Sequence, residues 1–371
     1  MKKNTFKISS IITVMIIITM SLLFIELIPQ NVPNLLRAGI ILNGFLIEIC
    51  LIFYIKSAKD YLLQFFLLIF GVINYLLIGN FSIYLLFKSV FITYPISIFL
   101  VFNKYNMKAL KCFALIYILG IFIQLYRTFG QYSFFVNSSR NYVSVFLIFG
   151  LFLFIISDYE KYHKNTPVIL SGIIFLGSIL AVGRGGILAT GFIFTFYYFF
   201  KIVGNKKISN YFYFLILLTG LVFIYLNFDF ILYKYFSRFI IKDVTVLNSN
   251  SERLRIYGTY IRYCIENIKF LFFGVPESYI INLGVAHTHN SFLNFHSMYG
   301  LIPLLLFLVG LIKGIIHFMK NKNYTFLIFT MGFFIRAMID VIFPSSLSEI
   351  ILIYLVYYSL FYKNIKYYSQ N

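Results

Sequence analysis

The sequence contains no tryptophan, only three cysteines and seven prolines, and twelve acidic residues among 371. Charged side chains make up 12% of it, against roughly 25% in soluble domains, and apolar side chains make up 61%, against roughly 45–50%. This composition excludes a water-soluble globular protein. Cys50, Cys112 and Cys264 have neither metal-ligand nor disulfide spacing, so no zinc site and no disulfide framework are expected.

Long apolar runs take the place of the missing charge. A membrane-spanning helix needs about 20 mostly apolar residues. Suitable runs lie at 8–28, 35–55, 61–79, 81–102, 109–129, 142–157, 166–183, 185–203, 211–233, 299–318, 324–342 and 347–362. We therefore expect an all-α polytopic membrane protein with about 12 transmembrane helices, folded as a single integral membrane domain over residues 1–371. The connection 234–288 is long enough to form a large loop outside the bilayer.

The lysines predict the orientation of the chain. Of the 22 lysines, 18 fall at the two termini and in alternate connections, and connections rich in lysine stay on the cytoplasmic side. Both termini are therefore expected in the cytoplasm and the loop 234–288 outside. In a soluble protein the net charge of +19 would suggest nucleic acid. Here it follows from topology, and no nucleic-acid partner is expected.

The nine arginines show the opposite distribution, because all of them fall at or toward the predicted outer side. They are Arg37, Arg127, Arg140, Arg184, Arg238, Arg253, Arg255, Arg262 and Arg336. Codon use alone could produce this asymmetry in a chain where lysine is the common cation. A functional reason is that the guanidinium fork binds phosphate or carboxylate with two hydrogen bonds, which lysine cannot do. The second interpretation predicts an outward-facing site for an anion.

One arginine interrupts an apolar stretch in the sequence 181-AVGRGGILAT-190. Arg184 stands there at the outer end of two abutting spans, and charged residues in membrane segments usually face a cavity and serve a function. The flanking glycines permit close backbone approach and leave amide groups available to an anion. The alternative is a tight outer turn whose arginine extends to the membrane surface.

A second group of arginines lies on a predicted amphipathic helix over residues 249–270, with a capping box formed by Ser249 and Glu252. Its apolar stripe consists of Leu254, Tyr257, Ile261, Ile265 and Ile268. Arg255, Arg262 and Glu266 share the opposite side, and Arg253 borders the stripe. Such a helix is expected along the membrane surface, in contact with membrane lipids. Its basic face either meets anionic lipid or binds a lipid-borne phosphate.

Histidine and a few intramembrane charges complete the set of candidates. His289 stands at the entrance of a helix, where a neutral imidazole can accept a proton from a hydroxyl, although a capping or surface role is the alternative. His287 and His296 lie nearby, but no carboxylate pattern completes a metal site, so no metal or other cofactor is expected. Arg336 and Asp340 are expected to pair, Glu48 needs a partner or a proton, and Lys88 is a further candidate for the anion site.

These motifs, in this order, resemble those of the O-antigen ligase and polymerase superfamily of bacterial envelope glycosyltransferases. The similarity covers roughly residues 140–320. It consists of the R-G-G turn at Arg184, the R-x-x-x-aromatic helix from Arg253 to Tyr257 with the turn 273–276 after it, and the H-N-x-x-L sequence beginning at His289 and Asn290. Tyr257 stands where a tryptophan is usual, so Arg255 remains an alternative to Arg253.

The resemblance implies a metal-independent, inverting glycosyl transfer on the outer face of the bacterial cytoplasmic membrane. Undecaprenyl-diphosphate-linked oligosaccharides would be both donor and acceptor, and a chain-length regulator protein is a possible partner. Arg184 and Arg253 would bind the diphosphate, and His289 would remove the proton from the attacking hydroxyl. The substrate-binding candidates are Arg255, Arg262, Asn290, Lys88 and Arg336.

Three functions fit these features. The first is a polysaccharide polymerase, which moves a growing glycan onto the next lipid-linked repeat unit. The second is a ligase, which transfers finished polymer to a lipid A core or another acceptor. The third is a flippase or other transporter of lipid-linked oligosaccharide. Transporters commonly have repeat-related halves and charges near the midplane, whereas the arginines here gather on one side. The polymerase is therefore our leading prediction.

Overall fold

The computed structural model describes most of the chain as helix. Described are residues 2–26, 28, 33–54, 61–79, 83–102, 106–128, 133–135, 138–158, 161–162, 165–203, 249–276, 278–279, 288–343 and 347–370. For residues 2–9, 249–254 and 361–370 the structure describes the backbone but not the side chains. The ninth predicted span, 211–233, and residues 234–248, 277 and 280–287 of the predicted loop 234–288 lie outside the described residues.

Helices occupy the other eleven predicted span positions. The first six segments are α1 (Lys2–Ile25), α2 (Asn34–Tyr54), α3 (Leu62–Ile78), α4 (Ile83–Lys88), α5 (Tyr94–Val101) and α6 (Met107–Arg127). The next three are α7 (Val143–Ile156), α8 (Val168–Leu180) and α9 (Arg184–Val203). The remaining segments are α10 (Ser249–Glu266), α11 (Ile268–Phe273), α12 (Ser291–Tyr299), α13 (Leu301–Lys320), α14 (Tyr324–Ile339) and α15 (Leu347–Gln370).

Five helices among the described residues are long and apolar enough to cross a membrane, and six more are apolar but shorter. The five are Asn34–Phe53, Ile83–Val101, Met107–Arg127, Arg184–Ile202 and Leu301–Lys320. Large apolar side chains such as Leu42, Phe53, Leu76 and Ile116 are more than half exposed on these and neighbouring helices. So much exposed apolar surface is unfavourable in water, whereas it is favourable in contact with lipid. The chain is therefore a helical membrane protein.

The fourth predicted span is not a continuous α-helix. Between α4 and α5 the residues Ser89–Thr93 form a π-helical segment, here called the π-turn. Pro95 follows within the first turn of α5 and has no N–H to donate to the preceding turn. The π-turn is wider than an α-helical turn and lies where the backbone hydrogen bond from residue 95 is missing. Within it, the Thr93 hydroxyl donates to the Ser89 carbonyl over 2.7 Å.

The described residues form two compact units by their contacts. Unit 1 consists of Met1–Phe113, Arg253–His317 and Ala337–Asn371. At its centre α5 and the first half of α15 are buried along their whole circumference. A helix that is apolar all round belongs in a protein interior, and this pair forms the core of unit 1.

Unit 2 consists of Ala114–Glu252 and Phe318–Arg336. Its centre is α7, which is almost completely buried. Between α6 and α7, two short antiparallel strands, β1 (Ser133–Phe135) and β2 (Ser138–Ser139), add a small hairpin to the otherwise helical unit.

Candidate functional site

The turn that precedes Arg184 in unit 2 has an unusual backbone. Val182 has φ 60°, a left-handed conformation that is rare and costly for a β-branched residue. Its amide donates to Ile179 O over 2.9 Å, and α9 then begins with Arg184. The first amides of a helix have no partner within the helix itself, so a helix start can direct N–H groups toward an anion. The Arg184 side chain belongs to that same end of α9.

Two glycines hold this turn against the start of α7. A Cβ on Gly183 would lie 3.2 Å from Asn141 Cα, and a Cβ on Gly186 would lie 2.5 Å from Ser144 Cβ. The close backbone approach expected of these glycines is therefore present, although its partner is another segment of unit 2. Any larger residue at 186 must displace Ser144 or α9.

Two more arginines lie around the same contact. Arg336 is 1% exposed, and it donates from Nε to Ser144 Oγ over 3.1 Å and from Nη2 to Asn141 O over 2.9 Å. Arg140 donates from Nη2 to the Leu180 carbonyl over 2.9 Å. We call Arg140, Arg184 and Arg336 the arginine corner. In this corner Arg336 positions the Asn141–Ser144 segment, while its predicted pairing with Asp340 stays a prediction.

The other predicted motif lies in unit 1, at the start of α12. His289, which was predicted to be catalytic, has φ 53° and therefore a left-handed backbone. Asn290, predicted to bind substrate, is the N-cap of α12, and its Oδ1 accepts from the amides of Phe292 over 2.9 Å and Leu293 over 3.2 Å. Its Nδ2 donates to Met338 O over 3.1 Å. Asn290 therefore fixes the histidine through the backbone.

The imidazole of His289 faces a carboxylate that we had assigned to another partner. His289 Nδ1 lies 3.8 Å from Asp340 Oδ1, with the side chains 32% and 8% exposed. This separation suits an ion pair once the histidine is protonated, but is too long for a hydrogen bond. The Asp340 backbone is anchored by Ser291 Oγ, which donates to Asp340 O over 2.7 Å. We call residues 288–290 with 338–342 the histidine loop.

Helix α10 contributes Tyr257, whose hydroxyl donates to the His289 carbonyl over 2.9 Å. The aromatic residue of the second motif thus touches the third motif in unit 1. Arg253 lies one turn earlier on α10, but its side chain is outside the described groups. Arg255 is exposed, and Arg262 forms an exposed pair with Glu266 at 2.7 Å. Such a solvated pair contributes little to stability.

The apolar stripe predicted for α10 is not its buried face. Ile261, Ile265 and Ile268 are 52%, 78% and 68% exposed, which fits contact with lipid. The buried positions are Ile256, Tyr260 and Cys264. The helix also ends at Glu266 rather than continuing to 270, because Asn267 adopts an extended backbone and caps α11, accepting from the Lys269 amide over 3.0 Å.

Tyr260 and His296 join α10 to α12. The carbonyl of Leu271 can only accept, so His296 Nε2–H donates to it over 2.8 Å, and Nδ1 accepts from the Tyr260 hydroxyl over 2.8 Å. Burial lowers the pKa of His296 below its ordinary value of 6.5, and the hydrogen bond to Leu271 opposes part of this shift. His296 is therefore a neutral structural residue, not a second base.

Lys88, the remaining candidate, is buried beside an acid. Its Nζ lies 2.7 Å from Glu26 Oε2, and Tyr84 donates to Glu26 Oε1 over 2.9 Å. Its charge is therefore balanced within unit 1. Glu48, which had no predicted partner, forms a hydrogen bond with Gln64.

Sequence reasoning missed Asp340 as the partner of His289 and the left-handed backbone at Val182. Among the described residues, no cluster of three or more His, Cys, Asp or Glu side chains has the geometry to hold a metal ion. No protein-family model matches the chain, and no curated protein or solved structure is significantly similar to it. The similarity to the O-antigen ligase and polymerase superfamily therefore rests on the motifs alone.

Proposed function

We propose that this chain is a polysaccharide polymerase of the bacterial cytoplasmic membrane. It transfers a growing glycan from undecaprenyl diphosphate to the next lipid-linked repeat unit on the outer face, with both termini in the cytoplasm. One observation carries most of the support: Val182 and His289, at two motifs chosen from sequence alone, have left-handed backbones. Such strain persists where the surrounding structure enforces it, and it clusters at functional sites.

The arginine corner is suited to the donor. A sugar diphosphate already carries a good leaving group, so the enzyme must hold the diphosphate and stabilise the charge that grows as the C1–O bond breaks. Arg184 and the amides at the start of α9 are proposed as the donors for that purpose. Arg253 on α10 is proposed as the second diphosphate ligand, with Arg255 and Arg262 on the exposed face of the same helix.

The histidine loop is suited to the acceptor. With Nδ1 toward Asp340, His289 presents Nε2 to an acceptor hydroxyl. As the hydroxyl oxygen bonds to C1 of the donor sugar, its proton passes to Nε2, and the electron pair of the C1–O bond leaves with the diphosphate. The imidazolium then lies next to the Asp340 carboxylate, which stabilises it until water takes the proton.

Substitution in cells that make the polymer tests this function. Arg184→Ala and His289→Ala should abolish long polymer and leave single repeat units on the final acceptor, at an unchanged level of membrane-inserted protein. Polymer of normal length in either variant would contradict the assignment of the site. Finished polymer stranded on the lipid carrier would instead identify a ligase. Transbilayer movement of labelled donor without bond formation, measured in vesicles, would identify a transporter.

A further inference from the structure

Helix α10 has two apolar faces, and only one of them packs against the rest of unit 1. Two consecutive triplets, 260–262 and 264–266, repeat the same order of a buried side chain, an exposed isoleucine and an exposed charged side chain. Successive residues of a helix point about 100° apart, so this repeat divides the surface of α10 into three sectors. The buried, isoleucine and charged sectors contain, in turn, Tyr260 with Cys264, Ile261 with Ile265, and Arg262 with Glu266.

The buried sector fixes α10 to the helix that follows His289. Tyr260 donates to His296 Nδ1 over 2.8 Å, and Leu293 of α12 packs against the buried cluster that contains Tyr260. One turn earlier, Tyr257 donates to the His289 carbonyl over 2.9 Å. These contacts set the rotation of α10 about its own axis, and they leave the isoleucine sector outside the contact with α12.

The isoleucine sector is an apolar surface without a protein cover among the described residues. Ile265 is 78% exposed, and Ile268 and Phe272 of α11 are exposed as well. An exposed apolar patch beside charged residues marks an interaction site. Because α10 is not among the helices long and apolar enough to cross a membrane, its two exposed sectors match those of a helix that lies in the plane of the membrane interface.

The charge of the segment favours a lipid surface as the occupant. Over residues 249–273 four cations stand against two acids, which leaves a net charge of +2. Arg255 and Lys269 are exposed, and Arg262 forms its exposed pair with Glu266 at 2.7 Å. Cations beside an apolar sector suit anionic phosphates above acyl chains. A second copy of the chain on the same sector would bring two positive surfaces together, which is unfavourable.

We propose that α10 is an interfacial anchor that sets the depth of His289 in the membrane. Its isoleucine sector enters the upper part of the acyl chains, its charged sector lies among the lipid phosphates, and its buried sector holds α12. The role of this depth rests on the proposed function, because a base that serves a lipid-linked acceptor must lie near the level of the lipid diphosphate. The lipid contact itself is independent of that function.

The absence of tryptophan from the chain allows a direct test. Ile265→Trp and its matched control Glu266→Trp each introduce the only tryptophan of the full chain, at neighbouring positions of α10. In vesicles that contain anionic lipid, acyl chains brominated near the headgroup should quench most of the fluorescence of Ile265→Trp and little of that of Glu266→Trp. Acrylamide, a quencher dissolved in the water, should show the reverse preference.

Two results would overturn the proposal. Quenching of Ile265→Trp by acrylamide but not by brominated lipid would place the isoleucine sector in water. Quenching by neither reagent would show that protein, such as a second copy of the chain, covers it. Ile261→Trp repeats the measurement one turn earlier on the same sector if Ile265→Trp does not fold. None of these measurements depends on glycan synthesis, so failure of the anchor and failure of the polymerase function are distinguishable.

Discussion

The arginine corner of unit 2 and the histidine loop of unit 1 hold their functional groups in different ways. In the corner, Arg336 is 1% exposed and bonded to Ser144 and to a backbone carbonyl. In the loop, His289 is 32% exposed and its nearest acid is 3.8 Å away. The corner therefore presents guanidinium groups held by packing and hydrogen bonds, whereas the loop presents a partly exposed imidazole beside a carboxylate. The roles proposed for them, binding an anion and accepting a proton, call for these different arrangements.

The largest expected effect tests whether the corner needs the shape of arginine or only its charge. Arg184→Lys should lower polymer synthesis by about 10²–10³-fold, the usual result of losing a donor to a developing negative charge. Incorporation of labelled repeat units in membranes measures it. Arg127→Lys, at the exposed end of α6, is the control and should change nothing. Full activity of Arg184→Lys would show that the corner requires only a positive charge and not the shape of the guanidinium.

A smaller effect is expected in the loop. Asp340→Asn removes the carboxylate that faces His289 and should lower the rate by roughly 10-fold or more, within the ~10²–10⁴-fold attributable to a general base. A comparison of kcat with KM distinguishes this role from a structural one, because loss of the carboxylate should lower kcat and leave the KM for the acceptor nearly unchanged. Asp158→Asn should change neither constant. An unchanged kcat in Asp340→Asn would mean that His289 acts without this acid.

A third change tests the rigidity of the corner itself. Gly186→Ala places a Cβ 2.5 Å from Ser144 Cβ and should destabilise the protein by about 1–3 kcal/mol through overpacking. Gly120→Ala on α6 is the matched control, since no atom lies within 4 Å of its new Cβ. Thermal unfolding in detergent compares the two. Equal stability would show that α7 and α9 separate without cost, and that the corner is not rigid.

The smallest expected effect concerns His296, whose hydrogen bonds join α10 to α12 beside the helix start that carries His289. Burial holds the pKa of His296 below 6.5, so the unfolded chain binds a proton more readily than the folded one. The stability from neutral His296 is therefore complete above pH 6.5 and is lost as the pH falls through the folded-state pKa. The protection of α10–α12 against hydrogen exchange, corrected for the intrinsic exchange rate at each pH, should fall between pH 7 and pH 5. His296→Gln should abolish most of that dependence, and an unchanged dependence would assign it elsewhere.

Much of the helix placement was predictable because apolar length is a local property. The end of α10 before Asn267 could also have been predicted, since asparagine is a favoured N-cap. The apolar periodicity on both sides of it instead favoured one continuous helix. The π-turn was not predictable, because Pro95 is compatible with several local adjustments. The buried face of α10 was not predicted. Apolar residues can face either lipid or the protein interior, and the sequence alone does not show which of the two a given apolar stripe contacts.

For the candidate site, Arg184 and His289 were selected by motif, but their surroundings were not. Arg336 and Asp340 are four residues apart on one chain segment, which suggested a pair. That pair stays a prediction, but the folded protein adds contacts that the spacing did not suggest: Asp340 faces His289, more than 50 positions away in sequence, and Arg336 bonds to Ser144. Contacts of this kind depend on tertiary packing that no local pattern encodes. Asn290 differs, because its capping bonds to Phe292 and Leu293 are local and asparagine is a favoured N-cap, so this role was within reach of the sequence.

Helix α12 has a mechanical consequence. It is nine residues long, about 13 Å at the usual rise, with His289 just before its first turn and Tyr299 at its end. Since so short a helix does not bend appreciably, it acts as a rigid rod. A displacement at the start of this helix is therefore transmitted to the Tyr299 hydroxyl, which contacts Ser89. The histidine loop and the buried π-turn are thereby mechanically linked within unit 1.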